Sequence, residues 1–71
     1  MNTEKRDYFI EKGGKLWEAH DKCRVYLDAE IFNEEVGTRF GDNNNKFFYD
    51  CDKNALMRSY KGKKPQIEVE Y

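Results

Sequence analysis

The sequence predicts an α+β fold in which a small, mostly antiparallel β-sheet of hairpins packs on one short helix. Three observations support this fold: two pairs of strand-like segments joined by short turns, one stretch with helix signals at both ends, and an alternating final segment. The 71 residues form a single domain, 1–71. A domain of this size buries only about 60% of the surface that its unfolded chain exposes.

The clearest hairpin is the segment GKLWEAHDKCRVYLD. Strand-like runs at Lys15–Ala19 and Lys22–Leu27 flank a tight His20-Asp21 turn. Because side chains alternate along a strand, the core face carries Leu16, Cys23, Val25 and Leu27. The other face carries Trp17, Arg24 and Tyr26. Aromatic rings beside a guanidinium occur both in partly covered sheet faces and in binding surfaces.

The N-terminal segment NTEKRDYFIEKGG has two interpretations. Asn2 or Thr3 could cap a short helix that ends at the Gly13-Gly14 pair. Alternatively, DYFIEK is a first strand, which the glycines turn into KLWE. Three consecutive bulky residues, Tyr8 to Ile10, favour the strand because they fit a pleated surface better than a narrow helical stripe.

The segment DAEIFNEEVG is the best helix candidate. Asp28 can cap it, Gly37 can end it, and the apolar side consists of Ile31, Phe32 and Val36. Glu34 and Glu35 near its C-terminus oppose the helix dipole. Tertiary packing must therefore hold this helix in place.

The second half begins with the loop GTRFGDNNNK, which could include a short strand at Thr38 to Phe40. A second hairpin follows, Lys46–Asp50 with Ala55–Tyr60, and then the exposed basic linker KGKKPQ. The final QIEVEY alternates, which predicts a half-buried strand with Ile67, Val69 and Tyr71 on one face and Glu68 and Glu70 on the other.

The stretch FFYDCDKNALMRSYK opens like a calcium-binding EF-hand loop, with Asp50, Asp52 and Asn54 at alternate positions. The sixth position, however, is Ala55 rather than glycine, and the twelfth is Lys61 rather than glutamate. We therefore interpret the three Asx residues as turn formers, whose side chains bond nearby backbone groups.

The sequence also predicts neither a zinc site nor a catalytic site. The His20-x-x-Cys23 pair, with Cys51 and Asp50, could supply zinc ligands. Structural zinc sites usually contain paired Cys-x-x-Cys or His-x-x-x-His units, so a single His-x-x-Cys pair is a weak signal. No spacing indicates a nucleophile with its base, an acid-base pair or a phosphate-binding glycine loop. We expect no catalytic residue, no metal and no cofactor, and hence a protein that is not an enzyme.

Composition restricts the partner and the compartment. Acidic and basic residues nearly cancel, so the chain is neither a polycation nor a polyanion. No apolar run approaches the ~20 residues of a membrane span, and the N-terminus lacks the apolar core of a signal peptide. Two cysteines fit a reduced compartment, although Cys23 and Cys51 could pair if their strands are adjacent. We expect a cytoplasmic protein.

The basic segment RSYKGKKPQ is the one stretch suited to phosphate, and its candidate nucleic-acid contacts are Arg58, Tyr60, Lys61, Lys63 and Lys64. An acidic set would repel nucleic acid if it shared this surface; its members are Asp28, Glu30, Glu34 and Glu35. We therefore rank a protein partner above nucleic acid.

The elements GGKLWE, RVYLD and KFFYD, at this spacing, resemble small proteins of unassigned function encoded by phages, prophages and integrative elements. Those proteins show a G-K-L-W-E strand, a tight turn, an R-[IV]-Y strand, a short helix and a K-F-[WFY]-Y-D hairpin. The resemblance implies a non-catalytic interaction protein that binds and modulates a host or defence protein by occlusion.

Under this interpretation, the expected partner-binding residues are Trp17, Arg24 and Tyr26. The His20-Asp21 turn and the added QIEVEY strand depart from the pattern of those proteins. We expect a monomer or a weak homodimer, because Glu68 and Glu70 would weaken pairing at an edge strand.

Overall fold

The structure, a computed structural model, describes residues 3–37 and 46–71. Its elements in chain order are α1 (Thr3–Glu11), β1 (Lys15–Ala19), β2 (Lys22–Leu27), α2 (Ala29–Val36), β3 (Lys46–Asp50), β4 (Ala55–Ser59) and β5 (Gln66–Glu70). The five strands form one antiparallel sheet in the order β1-β2-β3-β4-β5. The α+β class is as predicted, but the described chain has two helices rather than one. The predicted short strand at Thr38 to Phe40 lies outside the described residues.

Both helices pack on the same face of the sheet, which we call the inner face, and they contact chiefly β2 and β3. The core between them is apolar and largely aromatic. Phe32 of α2 stacks on Phe47 with ring centroids 4.0 Å apart, and Phe9 of α1 lies 5.3 Å from the ring of Tyr49. Phe9, Phe32 and Tyr49 are fully buried.

The prediction of an N-terminal strand is wrong, because Thr3–Glu11 is helical. The glycine pair ends this helix rather than turning a hairpin. The Gly14 N–H donates to the Phe9 carbonyl at 2.9 Å and the Gly13 N–H to the Ile10 carbonyl at 3.0 Å, which is a Schellman motif. Gly13 has a φ of 115°, a conformation that other residues rarely adopt.

Tyr8 shows why three consecutive bulky residues do not require a strand here. Its ring is exposed, and the ammonium groups of Lys5 and Lys12 lie 4.6 Å and 5.2 Å from its centroid. Phe9 alone is fully buried in α1, while Ile10 packs at the margin of the core. The helix therefore needs only a narrow apolar contact with the sheet.

The second helix is as predicted. Asp28 caps it by accepting a hydrogen bond from the Ile31 N–H at 2.9 Å. Gly37, with a φ of 71°, ends it by donating its N–H to the Asn33 carbonyl at 2.8 Å.

The first hairpin also has its predicted bounds and faces. His20 and Asp21 both have positive φ values, 50° and 67°, which is the backbone of a two-residue type I′ turn. Leu16 lies on the inner face but stays 45% exposed, because the helices chiefly cover β2 and β3.

The turn between β3 and β4 uses its Asx residues as expected. The Asp50 carboxylate accepts hydrogen bonds from the backbone N–H groups of Asp52 at 3.0 Å and Lys53 at 3.2 Å. Asn54 takes a φ of 50°, and its side-chain oxygen accepts the Tyr49 hydroxyl at 2.6 Å. Asn54 also exchanges hydrogen bonds with the backbone of Tyr71, which ties the end of the last strand to this turn.

The final strand departs from the predicted alternation. A register shift between Leu56 and Met57 pairs Leu56 with Val69 but Met57 with Ile67. This bulge places Val69 on the inner face against the core and Ile67 on the opposite face. The prediction that Ile67 and Val69 share a face is therefore wrong.

The two cysteines form a disulfide between the start of β2 and the turn after β3. Their Cα atoms are 5.3 Å apart, and the Cys51 N–H donates to the Cys23 carbonyl at 3.0 Å. Both residues are buried within the core. The pairing that the sequence left open is therefore present in the fold.

Glu35 of α2 connects α1 and the residue that follows β5 at the edge of the core. Its carboxylate accepts hydrogen bonds from the Tyr71 hydroxyl at 2.5 Å and from the Lys5 ammonium at 3.1 Å. Burial alone would raise the pKa of Glu35, but the hydrogen bonds from Tyr71 and Lys5 outweigh it and hold the pKa below its ordinary value of 4.5.

We expect this carboxylate to make stability fall in acid. Because the pKa of Glu35 is lower in the folded than in the unfolded chain, its contribution is present above the unfolded pKa and is lost as pH falls through the folded pKa. Glu35→Gln should cost about 1 kcal/mol at pH 7 and flatten the acid slope, measured by urea unfolding across pH. Glu34→Gln, which at the adjacent position alters an exposed pair with Lys12, is the matched control. Equal slopes for both variants would contradict the assignment.

Candidate functional site

The face opposite the helices, which we call the outer face, is built from rows of side chains that cross the whole sheet. The first row is Trp17, Arg24, Asp50, Ala55 and Glu70. The second row is Lys15, Tyr26, Phe48, Met57 and Ile67. Strand alternation adds Lys22 and Lys46 to the same face.

Arg24 lies at the centre of an aromatic cluster on this face. Its guanidinium is 4.4 Å from the centroid of Phe48 and 6.0 Å from that of Trp17. It also donates a hydrogen bond to the Tyr26 hydroxyl at 3.4 Å. The structure thus brings together the three residues that the sequence singled out, Trp17, Arg24 and Tyr26.

This cluster remains partly open to solvent. Trp17 is 43% exposed and Tyr26 is 36% exposed, and Ile67 is also an exposed large apolar residue on this face. Neither described helix contacts the outer face closely, because both pack on the inner face. Exposed large aromatic residues beside an arginine have the composition of interface hot spots.

The sequence did not predict the buried apolar side chains beneath this cluster. Phe48, Ala55 and Met57 are almost fully buried and form a second small core on the outer side. Arg24 lies directly over Phe48, so the guanidinium contributes to this burial. The signal was present in KFFYD, because a strand with bulky apolar residues at consecutive positions must bury side chains on both faces.

The structure separates the candidate nucleic-acid contacts of the basic segment. Arg58 lies on the inner face beside Phe47, forms an ion pair with Glu68 at 3.9 Å and stacks on the Tyr60 ring at 4.7 Å. Lys61, Lys63 and Lys64 are exposed. These five residues therefore do not form one continuous surface.

Charge is distributed unevenly between the two sides of the sheet. The acidic residues of α2 and its cap lie on the side of the inner face, namely Asp28, Glu30, Glu34 and Glu35. The outer face carries Lys15, Lys22, Arg24 and Lys46 against Asp50 and Glu70. The near-zero net charge of the chain thus conceals a basic outer face.

Within 3–37 and 46–71, no group of three or more His, Cys, Asp or Glu side chains is placed to hold a metal ion. A shallow depression of about 570 Å³ beside the His20-Asp21 turn includes Cys23, but that sulfur belongs to the disulfide. No helix in this part of the chain is long and apolar enough to cross a membrane.

No protein-family model matches the chain. Comparisons with curated proteins and with solved structures also found no match. The resemblance to proteins of phages and integrative elements stays a prediction.

Proposed function

We propose that this is a small non-catalytic interaction protein, encoded by a phage or another mobile element, that binds and modulates a host or defence protein. It acts by occlusion, through the outer face. The observation that supports this proposal is the open cluster of Trp17, Arg24 and Tyr26, in which Arg24 lies among three aromatic rings. Aromatic residues and arginine dominate the binding energy of protein interfaces, whereas a catalytic role needs reactive groups in a shaped cleft.

The geometry of the cluster suits a rigid docking surface. Arg24 is held by a ring below it and a hydroxyl beside it, so little side-chain freedom would be lost when a partner binds. Trp17 and Tyr26 present large apolar surfaces of low conformational entropy. A partner that covers the cluster would also remove the exposed Ile67 side chain from water.

Trp17→Ala is expected to weaken partner binding by about 2 kcal/mol or more, with a small effect on stability, since Trp17 lies on an edge strand. Leu16→Ala is the matched control, because Leu16 is the adjacent residue on the same strand, is similarly exposed and faces the other side. Immobilised wild-type protein and both variants are compared for capture of proteins from nuclease-treated host lysate, and the captured protein is then purified for calorimetry.

The double variant Arg24→Ala/Tyr26→Ala extends this test to the centre of the cluster. It should abolish capture, and circular dichroism must show that it remains folded at the assay temperature, because Arg24 also covers Phe48. A partner captured equally by wild type, Trp17→Ala and the double variant would contradict the proposal.

Nucleic-acid binding is a second candidate function, and one observation favours it. The acidic residues of α2 lie on the inner side, so they do not repel a polyanion at the outer face. Binding to single-stranded DNA that weakens steeply with salt, and that is reduced by alanine at Lys61, Lys63 and Lys64, would favour this function over a protein partner.

A further inference from the structure

A small slot opens on the outer face beside the aromatic cluster. Its volume is about 180 Å³, its floor is formed by Phe48 and Met57, and its rim carries Arg24, Lys53 and Lys64. Asp50 also lines it. The slot therefore combines an apolar floor with three cationic groups and one carboxylate.

The cationic groups of the rim are not neutralised within the described part of the chain. Arg24 donates to a neutral hydroxyl, and none of Arg24, Lys53 and Lys64 forms an ion pair with a described carboxylate. The Asp50 carboxylate accepts two backbone N–H groups in its turn. The slot is thus electropositive and suited to a single anionic group.

We propose that the partner presents an acidic segment, and that one aspartate or glutamate side chain of this segment enters the slot. Its carboxylate pairs with Arg24, Lys53 and Lys64 at the rim of the slot. The inference rests on the proposed function, for which it names the chemistry of the partner.

The slot favours a carboxylate side chain over a nucleic-acid strand for two reasons. Phe48 is 1% exposed and lies under Arg24, so it offers no free ring on which a base could stack. Asp50 and Glu70 interrupt the first row of the outer face, whereas a phosphate backbone needs a continuous basic track.

The test uses defined probes and does not depend on identifying the partner. The probes are a short peptide that alternates glutamate and alanine, its counterpart with glutamine in place of glutamate, and an oligothymidylate of the same net charge. Each is titrated into isotope-labelled protein and followed by NMR. The glutamate peptide should shift the signals of Arg24, Phe48 and Met57, and the glutamine peptide should not.

Two lysines adjacent in space and sequence provide the matched control. Lys64→Glu should weaken binding of the glutamate peptide about tenfold or more, because it reverses a charge on the rim. Lys63→Glu makes the same change of net charge at an exposed residue that does not line the slot, and it should have an effect of less than about twofold. Lys53→Glu provides a second variant of the rim.

Three results would overturn the inference. These are equal effects of Lys63→Glu and Lys64→Glu, shifts that avoid the slot, and tighter binding of the oligothymidylate than of the peptide. If the partner captured from lysate requires Trp17 and Tyr26 but tolerates Lys64→Glu and Lys53→Glu, the acidic segment is excluded and the proposed function stands. If capture does not depend on Trp17, Arg24 or Tyr26, the proposed function itself fails.

Discussion

Replacing Cys23 and Cys51 together by alanine is expected to lower the free energy of unfolding by about 3 to 4 kcal/mol. The disulfide joins residues separated by 28 positions, and a cross-link of this length removes conformational entropy from the unfolded chain by about that amount. Small domains have unfolding free energies of about 5–15 kcal/mol, so the loss is a large fraction of the total.

Chemical denaturation of the wild type with and without reductant, beside the double variant, measures this effect. The reductant should destabilise the wild type and leave the double variant unchanged. Mass spectrometry after alkylation of the unfolded, unreduced protein should find no free thiol. Coincident wild-type curves with and without reductant, or two alkylated cysteines, would show that the bond does not contribute.

The disulfide also bears on the compartment in which the protein acts. A cytoplasmic location stays a prediction, and most cytoplasms keep thiols reduced. Both cysteines are almost completely inaccessible, so a reductant reaches the bond chiefly when the fold opens. Alkylation of cells before lysis would report whether the pair is oxidised where the protein functions.

The parts of the fold that the sequence predicted are those with local signals. The His20-Asp21 turn lies between two strands of clear alternation, so the bounds and faces of the first hairpin follow from neighbouring residues. Asp28 and Gly37 likewise define α2 through hydrogen bonds made within a few positions of the chain.

The parts that the sequence did not predict depend on contacts between distant residues. The shift between Leu56 and Met57, which turns Ile67 outward, arises from the pairing of β4 with β5 and leaves no mark on the alternation of QIEVEY. The burial of Phe48 involves Arg24 and Tyr26 from another strand. The outer face was therefore predictable as a set of side chains, but its slot was not.

The N-terminal segment shows most clearly that local sequence does not decide a structure that depends on distant contacts. Its glycine pair is compatible with a hairpin turn and with a helix end, and only the contacts of Phe9 with the sheet distinguish the two. If the segment were a strand, Tyr8 and Ile10 would share one face and Phe9 would lie on the other. In the helix, Phe9 is instead the residue that fixes α1 to the core.

Phe9→Ala is therefore expected to destabilise the domain by about 3 to 5 kcal/mol, the range typical of a phenylalanine removed from a core. The ring is completely buried, and its centroid lies 5.3 Å from Tyr49 and 6.4 Å from Tyr71. Removing it leaves a cavity between α1 and the sheet and loses these ring contacts. Thermal and urea unfolding measure the loss, and Phe9→Leu, which keeps most of the volume, should cost about 1 kcal/mol.

Tyr8→Ala is the matched control, because it removes an aromatic ring at the adjacent position from an exposed site. Its ring contacts Lys5, Lys12 and the edge of the Phe9 ring rather than the sheet, so its removal should cost about 1 kcal/mol or less. If Phe9→Ala does not fold, the comparison of Phe9→Leu with Tyr8→Ala remains measurable. A Tyr8→Ala loss that equals or exceeds that of the Phe9 variants would mean that alternate residues face the core. The segment would then be a strand, and the packing of α1 on the inner face would be wrong.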